Sequence, residues 1–249
     1  MGSGKVCMKL EYDGSAFHGW QRQPGLRTVQ AELERALETV LREPIPVLGQ
    51  GRTDAGVHAE GQTAHARLPD GAEPGELQRR LNGLLGPDCS VVAVRPVPDT
   101  FHARYSAVER VYRYQIVRRP SPLREPTHWR VEGALDLAGP GRVLPAFLGE
   151  HEFGWFCAHS RPMAHTRCTV RVFTLAVEGP VLTFRIAANR FLHNMVRRLV
   201  GDLVEVARGR WSEAELVGRL DAPGPATQGR TAPAHGLILE RVIYPDGDL

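Results

Sequence analysis

The chain has 249 residues, 42% of them hydrophobic, and a formal net charge of +3. That length can bury roughly 70 to 75% of the unfolded surface, enough for one large domain or two smaller ones without disulfides. No apolar run approaches the roughly 20 residues that a membrane helix needs, and the modest total charge does not by itself argue for a nucleic-acid partner.

The opening MGSGKVCMKL has no apolar signal core, and Val6 stands where a myristoylation motif needs Ser or Thr, so a cytoplasmic protein is expected. Cys7, Cys89, Cys157 and Cys168 are scattered without a CxxC pair and fit reduced thiols. Cys157, His159, His165 and Cys168 offer zinc-ligand types in the order C-x-H-x5-H-x2-C. That spacing matches no usual finger or ribbon, so a surface loop and no metal are expected. Residues 1–105 hold 12 Lys and Arg against 13 Asp and Glu, leaving 19 against 15 for the remainder, which is therefore the more basic half. All but Lys5 and Lys9 of these cations are arginines, whose guanidinium groups hold phosphates bidentately and stack on bases.

In chain order, residues 6–12 alternate as a strand and Asp13-Gly14 marks a turn, leading to a loop with Phe17, His18, Gly19 and Trp20. Thr28 caps a helix whose stripe is Val29, Leu33, Ala36, Leu37, Val40 and Leu41, stopped at Pro44. A short strand over 45–48 and another over 62–68 flank a loop. A helix over 73–85 and a strand over 90–97 complete a β-α-β-β-α-β order. The order then repeats: strand 107–117, helix 135–148, strands 169–177 and 181–188, helix 192–208 and strand 237–244. An additional small helix over 212–220 opens with Ser212 and Glu215 spaced as a capping box. The expected fold is α+β, two ferredoxin-like halves divided as 1–105 and 106–249.

The loop between the first half's two middle strands is GRTDAGVHA, residues 51–59, with Asp54 at its centre. An isolated T-D-x-G string is commonly only a turn, but here Gly51 and Gly56 bracket the acid, Arg52 precedes it by two residues and His58 follows by four. A nearby guanidinium favours the ionised carboxylate, which suits a nucleophile better than a proton donor. In the strand over 107–117, the period of two puts Arg110, Tyr112 and Tyr114 on one face, as core aromatics or as a platform for a base. In the helix over 192–208, Val196, Leu199, Val200, Leu203 and Ala207 form the stripe. Arg197 falls at its edge, and Arg198 is expected to face solvent.

The chain resembles the tRNA pseudouridine synthase A family in five segments that occur in order. These are LEYDGSAFHGWQRQ at 10–23, the T-V-Q-x-x-L-E-x-A-L helix from Thr28, GRTDAGVHA, the FHARYSA and YRY segments between 101 and 114, and FLHNMVRRLVG at 191–201. The resemblance implies isomerisation of uridine to pseudouridine in the anticodon stem-loop at tRNA positions 38 to 40, with no cofactor or metal. It also implies a homodimer that holds one tRNA across both subunits, with a cleft between two ferredoxin-like halves. By motif, Asp54 is the catalytic nucleophile, Tyr112 stacks on the target base, Arg197 pairs with Asp54, and Arg52 helps bind or flip the nucleotide. His58 is counted with the substrate-binding residues. Arg22, Arg27, Arg79, Arg80, Arg104 and Arg110 are candidate phosphate contacts. Between Pro120 and Arg161, and in the loop near the C-terminus, the resemblance is weak, leaving tRNA contacts there unassigned.

Two other classes compete. Ferredoxin-like domains also occur as non-catalytic RNA-binding modules, although the aromatic RNP pattern is absent here. A hydrolase using Asp54 and Glu60 would need two carboxylates at a defined separation, which residues six apart in one loop rarely provide.

Overall fold

The computed structural model describes residues 4–158, 165–222, 229–245 and 247–248. The alternating first segment becomes β1 (Lys5–Tyr12). After it, α1 (Val29–Leu41) starts where the Thr28 hydroxyl accepts the Ala31 amide and ends at Arg42, which turns left-handed at φ +64°. Val29, Leu33, Ala36, Leu37 and Val40 are buried as the periodicity requires.

Of residues 45–48, expected as a strand, only Leu48 enters β2 (Leu48–Gly49). Pro46 has no amide to give a ladder. The backbone of Val47 is instead held by α1: its amide donates to Glu34 Oε1 at 3.1 Å and its carbonyl accepts from Gln30 Nε2 at 3.0 Å. β3 (His58–Arg67) begins four residues earlier than expected, α2 (Pro74–Asn82) stops at Gly83, and β4 (Cys89–Pro96) follows.

The later part of the chain contains β5 (Glu109–Val117), a two-residue β6 (Trp129–Arg130), α3 (Ala138–Val143), β7 (Gly149–Glu152), β8 (Arg167–Glu178), β9 (Val181–Ala188), α4 (Met195–Ala207) and α5 (Glu213–Val217). The single helix expected over 135–148 is divided. α3 gives way to a 3-10 turn at Leu144–Phe147, in a stretch where Gly139, Pro140, Gly141 and Pro145 weaken continuous helix. α4 starts three residues later than expected because Asn194 is left-handed at φ +60°. The capping box of α5 forms as read, Ser212 and Glu215 each bonding the other's backbone. β10 (Leu237–Tyr244) and the short β11 (Gly247–Asp248) end the described chain.

These elements form two compact units. One comprises the residues up to Val108 together with those from Ile238 on, and the other comprises Glu109–Leu237. The expectation placed everything after residue 105 in one half. The final strand instead lies with the first unit, because Ile238 and Leu239 pair in parallel with His58 and Ala59 of β3. In that unit β1 runs antiparallel between β4 and β3. β2 takes the other edge of β3 at Ala64 and His65, and β10 takes it at His58 and Ala59. Gly61 permits the close passage of β10, since a Cβ there would lie 2.5 Å from the Glu240 carbonyl oxygen.

In the second unit β9 runs antiparallel between β5 and β8, β7 pairs with β8, and β6 joins β5 in parallel at Ile116 and Val117. Tyr114, Phe147, Phe153 and Phe156 are among its fully buried side chains. α4 is buried nearly all round, including Arg198, Asp202 and Glu205.

Candidate active site

In the first unit, the segment after β1 holds the loop that carries Asp54. Gly14 and Gly19 lie against its backbone: a Cβ on Gly14 would sit 2.1 Å from the Val57 carbonyl oxygen, and one on Gly19 would sit 2.6 Å from that of Thr53. Trp20 donates its amide to the Thr53 carbonyl at 3.1 Å, while Val57 closes the turn by donating to the Asp54 carbonyl at 3.1 Å. Gly56 adopts φ +78° as the bracketed loop requires, whereas Gly51 stays outside the left-handed region.

Side chains complete the support. Thr53 meets the Tyr12 hydroxyl through its own hydroxyl at 2.8 Å. The fully buried Gln62 donates through Nε2 to the Gly51 carbonyl at 3.1 Å. The backbone on each side of Asp54 is thereby fixed, and the acid itself remains half-buried. A carboxylate held this way loses little entropy when a substrate arrives.

The other loop residues divide. Arg52 is exposed, with Nε donating to Gln21 Oε1 at 3.2 Å. His58 is buried at the start of β3, its Nδ1 lying 3.1 Å from both the Gly14 amide and Asp13 Oδ1. Burial opposes ionisation of Asp13, but bonds from Ser15 and the nearby His58 leave its pKa below the ordinary value. His58 thus holds the glycine turn that braces the acid loop. Glu60 is exposed on β3.

In the second unit, Tyr112 lies in β5 opposite Ile186 of β9 and packs edge-to-face against Phe191, with ring centroids 5.1 Å apart. Tyr114, two residues on, is fully buried and donates its hydroxyl to the Pro233 carbonyl at 2.8 Å. Burial raises the Tyr114 phenol pKa well above its ordinary value, only partly opposed by Arg197. Arg110 donates to the Asn189 carbonyl at 2.8 Å.

Of the two arginines of α4, Arg197 lies at the edge of the stripe as expected, whereas Arg198 does not face solvent. Arg197 is half-buried, with Nε donating to the Ala232 carbonyl at 2.8 Å and Nη1 to Asn194 Oδ1 at 2.7 Å. Arg198, expected in solvent, is buried and donates through Nη1 to the carbonyls of Cys157 at 3.1 Å and Trp155 at 3.3 Å. The apolar stripe of α4 correctly places one face, but the opposite face is covered as well.

Among the candidate phosphate contacts, Arg27 is committed elsewhere: it makes a bidentate pair with Asp88 at 2.6 and 2.9 Å and lies over the Phe17 ring. Arg22 and Arg79 are paired with Glu34 and Glu76 but keep most of their side chains exposed. Surface pairs of this kind are readily exchanged for phosphate.

The four-ligand string near residue 160 is not a surface loop throughout. His159 lies outside the described residues, while Cys157 and Cys168 are buried, and burial pushes the Cys168 thiol up to about 12. Among the described residues, no three His, Cys, Asp or Glu side chains are grouped to hold a metal ion, and no helix is long and apolar enough to cross a membrane.

A family model described as tRNA pseudouridine synthase matches residues 9–106 and 144–245. The chain is similar to "tRNA pseudouridine synthase A" of Bacillus licheniformis, 41% identical over 239 residues that cover 94% of this chain and 97% of that protein. The protein of the same name from Chlorobaculum tepidum is 38% identical over 240 residues, covering 96% and 97% respectively. The one from Cutibacterium acnes is 41% identical over 250 residues, covering 97% and 90%.

Proposed function

The chain belongs to the tRNA pseudouridine synthase family and is an isomerase, and from that premise we propose that Asp54 is its nucleophile. The observation that carries this reading is the support of Asp54: before it, Trp20 and Gln62 hold the Thr53 and Gly51 carbonyls and Tyr12 holds the Thr53 hydroxyl, after it Val57 closes the turn, and the acid remains half-buried. Converting uridine to pseudouridine requires cleavage of the N1–C1′ bond, rotation of the uracil, rejoining through C5 and loss of the C5 proton. A carboxylate nucleophile can hold one fragment while the other turns, and no step is redox. The reaction needs no cofactor or metal.

In this reading Tyr112 stacks on the extruded uracil, with Phe191 fixing the angle of its ring. Arg197, its guanidinium oriented by Ala232 and Asn194, is the cation that the family resemblance assigns as partner to Asp54. The exposed Arg52 binds or flips the nucleotide, while His58, buried against Gly14, acts by holding the acid loop.

The substrate is the anticodon stem-loop at tRNA positions 38 to 40, and the enzyme works in the cytoplasm as a homodimer. The substrate and the homodimer in this proposal rest on the resemblance of the five motif segments, and the compartment on the opening sequence. The unit containing Asp54 fits a ferredoxin-like half, because its sheet order β4-β1-β3-β2 follows from the β-α-β-β-α-β sequence of its elements. The later elements are assigned to a second such half by the same order along the chain.

The test is tritium release from C5-tritiated uridine in an anticodon-arm tRNA, comparing wild type with Asp54→Asn without added metal. The wild type should release tritium while the variant binds the tRNA and releases none. Release by the variant at the wild-type rate would remove Asp54 from the chemistry.

A further inference from the structure

Gly201, inside α4, is a costly residue for a helix interior, by about 1 kcal/mol relative to alanine. Its use is steric: a Cβ there would lie 1.9 Å from the Arg230 carbonyl oxygen, so the segment from Gly229 to Pro233 crosses the helix directly over it. The next helical residue, Asp202, has no exposed surface and accepts the Arg230 amide on Oδ1 at 3.0 Å and Arg219 Nη1 on Oδ2 at 3.2 Å. Arg219 is braced over the Trp211 ring at 3.4 Å. One turn along, Glu205 accepts Nη1 of Arg230 at 3.1 Å and Nη1 of Arg210 at 2.9 Å.

Two residues further along, the same segment meets Arg197. Ala232 donates its amide to the Arg197 carbonyl at 3.0 Å and accepts Nε of Arg197 at 2.8 Å, while Pro233 accepts the Tyr114 hydroxyl. The segment is therefore tied to α4 by Asp202 at one end and holds the Arg197 guanidinium at the other. Asp202 fixes the backbone at the Arg230 end, and the missing Cβ of Gly201 lets the segment lie against the helix there, while the Arg197 carbonyl and the Tyr114 hydroxyl hold its far end.

We propose that Asp202 is a positioning residue for the isomerase reaction, acting through the segment 229–233 to aim the Arg197 guanidinium; this rests on the role given to Arg197 above. Without the Arg230 tie, the Ala232 carbonyl shifts and the guanidinium loses its fixed direction. A misplacement of about 1 Å at a catalytic group costs ten- to a hundredfold in rate.

The experiment compares full-length wild type with Asp202→Ala, Asp202→Asn, Arg197→Ala and the Arg197→Ala, Asp202→Ala double variant. It reads the single-turnover rate on saturating tRNA, the tRNA Kd, and amide exchange at Ala232. Asp202→Ala should slow turnover at least about tenfold with Kd within about threefold, and Asp202→Asn, which keeps an acceptor for the Arg230 amide, should restore most of the rate. The double variant should be no slower than Arg197→Ala, because one residue acts through the other. If Asp202→Ala does not fold, Asp202→Glu, which moves the oxygens by one methylene, replaces it in the same comparison.

A folded Asp202 variant with wild-type turnover, or losses that multiply in the double variant, would overturn the proposal. A fully active Arg197→Ala would instead refute the role of Arg197. In that case the tie itself is judged by Ala232 exchange, which must accelerate in Asp202→Ala for the geometry to stand.

Discussion

Gln62 has no exposed surface, yet its amide is the donor for the Gly51 carbonyl at the start of the loop carrying Asp54. Replacing it with leucine would leave that half-buried carbonyl without its donor and would remove a neighbour of the Tyr12 hydroxyl at 3.5 Å. Gln62→Leu should destabilise the protein by about 2 kcal/mol in urea titrations and slow single turnover more than it weakens tRNA binding. Gly19→Ala attacks the same loop from the other side, because an alanine would have to hold φ +86° with its Cβ against the Thr53 carbonyl. The same two readouts apply, and a Gly19→Ala enzyme with unchanged turnover would mean that the brace does not govern Asp54. The loop around Asp54 is legible in the sequence because glycines and turn residues act locally. The Tyr12–Thr53–Gln62 network is not, since it joins side chains 41 and 50 positions apart in the chain.

α4 shows where periodicity stops informing at the scale of an element. The stripe from Val196 to Ala207 identifies the face packed on the sheet, but a hydrophobic pattern says nothing of what covers the opposite face. Here the segment from Gly229 to Pro233 covers part of it, and the carbonyls of Trp155 and Cys157 receive Arg198. Arg198→Ala should therefore cost roughly 3 kcal/mol by urea unfolding, since it removes a charged donor from two carbonyls and leaves a void. Arg35→Ala, at a guanidinium paired on the surface of α1, should change stability by no more than about 0.5 kcal/mol. Equal small effects would return Arg198 to solvent. The elements read most closely are those with local end signals: α1 from Thr28, the Ser212 capping box of α5, and the β9 strand after Glu178-Gly179-Pro180. Residues 45–48 and the helix expected over 135–148 depart from their sequence patterns because prolines remove amide donors and because α1 side chains compete for the Val47 backbone.

At the scale of the whole molecule, the two units carry buried groups that link stability to pH in opposite directions. In the first unit His65 accepts the Ala103 amide on Nδ1 at 3.2 Å and packs against Phe101 and His102. Burial, followed by the charges of His102 and Lys5, lowers its pKa from 6.5 to about 4. In the second unit burial raises Asp202 from 3.8 to about 6, against the Arg230 amide and the charges of Arg219 and Arg198. The folded state binds fewer protons than the unfolded state at His65, so stability from that group is complete above pH 6.5 and is lost as pH falls toward 4. It binds more at Asp202, so that contribution is complete below about pH 3.8 and is lost as pH rises through 6. At about 1.4 kcal/mol per pKa unit, each amounts to roughly 3 kcal/mol, and the two nearly cancel between pH 4 and 6. Urea unfolding across that window should therefore show stability rising with pH more steeply in Asp202→Asn than in wild type, and falling with pH in His65→Gln relative to wild type. Parallel curves for all three proteins would mean that neither burial shifts protonation in the folded state.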